Sequence, residues 1–137
     1  MTSTLPEGID TALTIAPPWA TLVVEGPRRI VNLERRPPAA LLGRRIAIYA
    51  GDVPDLEACA HAIEFLDAIG IPEARRNAWT TRAVHGAIIG TAVLAGVFTE
   101  SSDRWFTGPF GVWLTNAEAL KAPIHAAGRA GFWRIER

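Results

Sequence analysis

Apolar residues in this chain come in short bursts, and their spacing separates strands from helices. Residues 13–15, Leu-Thr-Ile, form a brief apolar run of strand type. Pro17 and Pro18 follow, suited to a first helical turn where a missing N–H costs nothing. Trp19, Leu22 and Val23 then recur at i, i+3 and i+4, and Gly26 takes the position just past a helix end. A short helix is expected over 17–25, despite its β-branched residues. Ile30 and Val31 centre a strand over 29–33. Pro37 and Pro38 place 35–43 in a loop, because proline cannot serve a central strand. Over 44–51, Ile46 and Ile48 alternate with Ala47 and Tyr49, the pattern of a half-buried strand.

The clearest helical pattern lies over 53–70. Leu56, Cys59, Ile63 and Leu66 fall on one line, while Asp55, Glu57, Glu64 and Asp67 fall away from it. Pro54 opens the segment and Gly70 closes it. Residues 72–85 are polar and read as irregular, with Trp79 as a loop anchor. The apolar run 86–100 carries Gly90 and Gly96, which predict a bent or bulged strand. A further strand is expected over 110–120, a turn at Pro123, and a last strand over 130–136. Residues 1–10 are polar and expected to fray, leaving 11–137 as a single domain. Five or six short strands with two main helices predict a mainly β, α+β fold. Its sheet should be strongly bent or close into a small barrel.

Composition narrows the class without naming a function. The chain has 137 residues, enough for one domain with its own core, and 49% are hydrophobic. Fourteen basic and fourteen acidic residues cancel, and every basic residue but Lys121 is Arg. Their placement is uneven. Arg28, Arg29, Arg35, Arg36, Arg44 and Arg45 crowd one segment in which Glu34 is the lone acid. Asp52, Asp55, Glu57, Glu64, Asp67 and Glu73 make an acidic middle. Such a dipole steers anions to one side of a molecule. Cys59 is the only cysteine, so no internal disulfide is possible. His61, His85 and His125 lack ligand spacing, and no glycine-rich phosphate loop of the GxxxxGK kind occurs. No metal or cofactor is expected. The N-terminal residues lack a signal-peptide pattern, and no apolar stretch reaches the roughly 18–20 residues of a membrane span. A cytoplasmic protein without a membrane partner is expected.

Five segments together resemble the ASCH domain family, small proteins of the PUA-like superfamily. They are TIAPPWATLVVEGPRRIVN, LLGRRIAIYAG, GAIIGTAVLAGV, WFTGPFGVWL and HAAGRAGFWRIE. In order and spacing they cover the chain from Leu13 to Glu136. The resemblance implies a PUA-like pseudobarrel with a bent five- or six-stranded mixed sheet and helices at its sides. It implies a cleft beside the helix that begins at the Pro-Trp-Ala segment, and RNA or a nucleotide or nucleoside as the ligand bound there. Some small members of the family resemble amidohydrolases acting on acetylated cytidine, and ribonuclease activity has been proposed for others.

The family's cleft motif is Gly-x-Lys-x-x-Glu-x-Arg. Here Gly26 matches its glycine, and Arg28 stands at the Lys position. Val31 stands at the Glu position, and Leu33 at the Arg position. Asn32 falls where longer members place Asn. Glu34 and Arg35 come next and reach the cleft only if the strand shifts. A one-residue slip turns a side chain to the other face. The hydrolase-like members use a Lys, a Thr three residues later and a distant acid. Arg28 and Val31 occupy the first two positions, and no acid lies within GAIIGTAVLAGVF. A guanidinium is a poor general base. Binding is therefore the first reading. A hydrolase on a modified nucleoside or RNA, or a diverged protein-interaction domain, is the alternative.

Arg28 is the side chain expected to hold a phosphate or a base edge, since its planar fork suits both. A position near a helix C-terminus also suits it for stabilising that end. Arg29, Arg35, Arg36, Arg44 and Arg45 are read as mostly solvated. Trp19 and Trp105 are expected to line the cleft, with Gly108 allowing close backbone approach in the turn after Trp105. Trp113 and Trp133 are expected in the core. Tyr49, at a position where longer members often place His, is expected either to bond a ligand or to sit as an ordinary strand residue. His85, Ser101, Ser102 and Thr107 have no neighbouring acid or nucleophile turn to support a catalytic role.

Overall fold

The computed structural model describes residues 5–51, 56–80 and 84–136. Strand β1 (Thr11–Ile15) leads into helix α1 (Trp19–Val24) and strand β2 (Ile30–Leu33). A single 3-10 turn at Ala39–Leu41 precedes strand β3 (Arg45–Ala50). Helices α2 (Leu56–Ala68) and α3 (Glu73–Thr80) follow. Strands β4 (Ala87–Phe98), β5 (Phe110–His125) and β6 (Phe132–Arg134) complete the chain. The six strands form one sheet in the order β2-β5-β4-β3-β1-β6, curled into a half-barrel. Only β1 and β3 pair in parallel, and the other pairs are antiparallel. The bent sheet is what the pattern predicted, and its mixed pairing with helices at its sides is what the resemblance implied. Among the described residues no helix is long and apolar enough to cross a membrane.

The bend has a local cause. The β4–β5 ladder shifts register between Ile88 and Gly90, Thr91 and Val93, and Leu94 and Gly96. Each shift twists and bends the strand. Gly90 also seats α1. A Cβ there would lie 2.5 Å from both the Glu118 carbonyl oxygen and Val24 Cγ1. Only glycine lets the helix come this close to the sheet.

The alternation in β3 divides two cores. Ile46 and Ile48 join Leu13, Val23, Leu94 and Val112 in the cluster beneath α1. Ala47 and Tyr49 turn the other way, to Ile9, Ala12 and Ile88. Ile9 is buried although it lies in the polar first ten residues, and the Asp10 carbonyl accepts a hydrogen bond from the Ile135 N–H. A third cluster joins α1 to α2 through Leu22, Ala62 and Leu66, with Trp19 and Trp105 packed on it.

Three expectations need correction. Residues 73–80 are a helix, so the described structure has three α-helices rather than two. Glu, Ala and Arg are strong helix formers. The Arg76 guanidinium ties the segment to α2 by an ion pair with Asp67 at 2.9 Å and donates to the Ile71 carbonyl. Strand β5 does not stop at Pro123 but runs to His125. Beyond Trp113 only β4 pairs with it, and a strand with one free edge tolerates a missing N–H. Trp113 is not in the core. It stands 51% exposed on the outer side of the sheet. Pro54 and the side chains of Leu56, Cys59 and Trp79 lie outside the described residues, as do Asp52 and Asp55.

Candidate functional site

The site begins at the end of α1. The Leu22 carbonyl accepts hydrogen bonds from both the Gly26 N–H and the Arg28 N–H, each at 3.1 Å. Gly26 is pressed so close to that turn that a Cβ would sit 3.0 Å from the same oxygen. The chain is thus folded tightly under the helix, and this fixes where Arg28 leaves the backbone.

The Arg28 guanidinium then sits against two indoles that touch each other. Its guanidinium carbon lies 4.9 Å from the Trp19 ring centre and 5.1 Å from that of Trp105. Both distances are within reach of cation–π attraction. The two indoles meet edge to face at 6.2 Å, and Phe65 of α2 backs Trp105 at 4.0 Å. Arg28 Nε donates to the Ile30 carbonyl at 2.7 Å. Among the described residues that is its one hydrogen bond, and no carboxylate pairs with it. Its two Nη groups are not sealed from solvent. Burial lowers the Arg28 pKa to about 10. At neutral pH the group is still charged, which suits it to face an anion rather than to accept a proton.

Asn32 holds the opposite wall. Its Nδ2 donates to the Trp105 carbonyl at 2.8 Å, and its Oδ1 accepts the N–H groups of Thr107 and Gly108 at 2.8 and 3.2 Å. Asp103 Oδ1 accepts the Trp105 N–H at 2.8 Å. Gly108 has φ +75°, a conformation that favours glycine. These bonds place Trp105 against Arg28. Beside the bracket, Glu25, Gly26, Arg28, Arg29, Leu114 and Asn116 line a polar depression of about 300 Å³.

The structure brings Trp19, Gly26, Arg28, Asn32, Trp105 and Gly108 into one neighbourhood. It leaves the other three expected residues outside. Glu34 and Arg35 are exposed beyond the end of β2 and share none of the contacts that join the bracket. Tyr49 is buried in the second core cluster, where its hydroxyl donates to the Ala126 carbonyl at 2.6 Å and accepts the Gly128 N–H at 3.1 Å. Val31 and Leu33, at the motif's Glu and Arg positions, pack into the cluster beneath α1. Phe65 is a wall residue that the sequence reading missed. Its proximity to Leu66 on the predicted helix was the only available signal.

Fold and site together define a six-stranded half-barrel with an arginine set against two indoles beside its first helix. Crystal structures of ASCH from Zymomonas mobilis share that fold. One structure of the protein covers 93% of this chain and 87% of its own, with a TM-score of 0.52 and 15% identity. Structures of two of its point mutants each reach a TM-score of 0.53, covering 97% and 93% of this chain and 92% and 90% of their own, at 15% and 14% identity. The chain has the ASCH-domain fold. Neither a protein-family model nor a curated protein sequence matches it.

Proposed function

We propose that this chain binds a nucleotide or single-stranded RNA beside α1, with Arg28 as the phosphate anchor. One observation carries the reading. Arg28 is largely removed from water, has no carboxylate partner among the described residues, and keeps both Nη groups free of protein hydrogen bonds. A desolvated charge without a counter-ion is costly, and an anion that accepts a charge-assisted hydrogen bond offsets the cost. The two indoles, each half-buried, contact the guanidinium and leave ring surface on which a base can stack. Stacking of that kind contributes ~1–3 kcal/mol per base.

Fluorescence anisotropy with labelled single-stranded RNA at several salt concentrations tests the reading. Wild-type binding should be saturable and weaken with salt. Arg28→Ala should bind more weakly and lower the salt slope by about 0.7, the value for one lost phosphate contact on a single strand. Equal affinity and equal slope in the mutant would place the ligand elsewhere.

A further inference from the structure

A second groove lies on the outer side of the sheet. Ile30, Gly96, Val97, Phe98 and Trp113 form it, with a volume of about 340 Å³. Register explains why it is open. Trp113 pairs with Ile30 of β2 and Gly96 of β4, so the indole stands over a position with no side chain. A Cβ on Gly96 would meet nothing within 4 Å. Phe98 closes one end, its ring 6.1 Å from that of Trp113 at 72°. Phe98 is itself fixed, because it rests on Gly111, where a Cβ would lie 2.4 Å from its ring. An indole half exposed in such a cleft is a large apolar group left for another molecule to cover.

The rim gives the sign of the occupant's charge. Glu100, Ser101 and Asp103 line the same groove. Glu100 and Asp103 are exposed, and neither has an ion-pair partner among the described residues. Asp103 uses Oδ1 to accept the Trp105 N–H. The neighbouring Arg29 lines the depression at the end of α1 instead. Carboxylates repel a phosphate chain, so this groove does not suit nucleic acid. An aromatic face with adjacent carboxylates matches a cation on an apolar stem.

We propose that this groove binds an arginine or lysine side chain of a basic peptide partner. The alkyl stem lies along Gly96 and Val97, the cationic head sits over Trp113, and Glu100 and Asp103 hold its charge. The groove shares no lining residue with the depression beside Arg28 and is of opposite sign.

The test uses the whole chain and a fluorescein-labelled alternating Gly-Arg octapeptide, read by anisotropy at low salt. Its citrulline counterpart keeps the shape and removes the charge. The arginine peptide should bind saturably and the citrulline peptide about tenfold more weakly. Trp113→Ala should weaken the arginine peptide about five- to tenfold, the size of a cation–π contact. Gly96→Val, which fills the groove floor in a β-compatible backbone, should block the peptide with Tm unchanged. Glu100→Gln should weaken it more than Glu64→Gln on α2 does. Equal affinity for the citrulline peptide, or no effect of Trp113→Ala and Gly96→Val, overturns the proposal. So does an equal loss in Glu64→Gln, which would place the peptide on α2. RNA binding that falls in Trp113→Ala would assign the groove to nucleic acid. A dimer in sedimentation that Trp113→Ala dissolves would assign it to a second copy of the chain.

Discussion

Arg28 and Tyr49 are both polar groups set in a largely apolar surround, yet the fold treats them in opposite ways. The Tyr49 hydroxyl is committed in both directions, giving its proton to Ala126 and accepting the Gly128 N–H. Its ring meets Trp133 edge to face at 5.4 Å and fills the space that a Gly128 side chain would need. Arg28 commits only Nε and leaves its charge unpaired among the described residues. Hydrogen-bonding capacity spent within the chain holds the chain together. Capacity left unspent on a desolvated charge is what a ligand can use.

The contrast can be broken in several ways, and the largest effect is expected at the wall they do not share. Trp19→Ala should lower unfolding free energy by about 3 kcal/mol, as for other large-to-small aromatic changes, and should weaken RNA as well. Urea denaturation with parallel anisotropy checks both. An unchanged midpoint together with unchanged affinity would remove Trp19 from core and cleft alike.

Arg28→Ala comes next. The loss of charge-assisted bonds to a phosphate should reduce affinity about 10- to 100-fold. Stability should hold or rise, because the burial cost of the charge disappears, at most roughly 3–4 kcal/mol by the pKa displacement and less after the two indole contacts. A mutant that binds normally but unfolds early would mean that Arg28 belongs with Tyr49 as a structural group.

Tyr49→Phe should do the reverse. It leaves the Gly128 N–H and Ala126 carbonyl without their partner and should cost about 1–3 kcal/mol, with affinity for RNA intact. A stable Tyr49→Phe protein that has lost binding would invert the comparison. Asn32→Ala tests the link between loop and bracket. It frees the turn at Thr107 and Gly108, and should weaken binding severalfold through Trp105 with Arg28 untouched. Affinity equal to wild type would show that Trp105 needs no such tether.

The smallest effect is the pH dependence. Arg28 in the ligand-free protein titrates at about 10, so affinity for a phosphate probe should be steady below that value and fall as pH rises through it. The stability linkage has the opposite sign. Above about 10 the unfolded chain still holds the Arg28 proton while the folded chain releases it, so this group adds stability as pH rises. The difference between wild type and Arg28→Met across this range isolates the term. No difference would mean that Arg28 is not desolvated.

The sequence by itself determined the strands, the amphipathic helix α2, the bend at Gly90 and Gly96, and the turn that delivers Arg28 from the end of α1. Those features are local, since alternation, helical spacing and glycine placement act through neighbours in the chain. Helix α3 was missed because its residues are mostly polar, and the ion pair of Arg76 with Asp67 reaches across to α2. Trp113 looked like core because its strand is apolar, yet the register with Gly96 and Ile30 turned it outward. The ligand-facing or structural use of Tyr49, Asn32 and Arg28 was likewise beyond the sequence. Each depends on which distant backbone groups come within hydrogen-bond reach: Gly128 for Tyr49, Thr107 for Asn32, and no carboxylate for Arg28 among the described residues. Only tertiary structure sets those encounters, because they join positions that nothing in the local pattern connects.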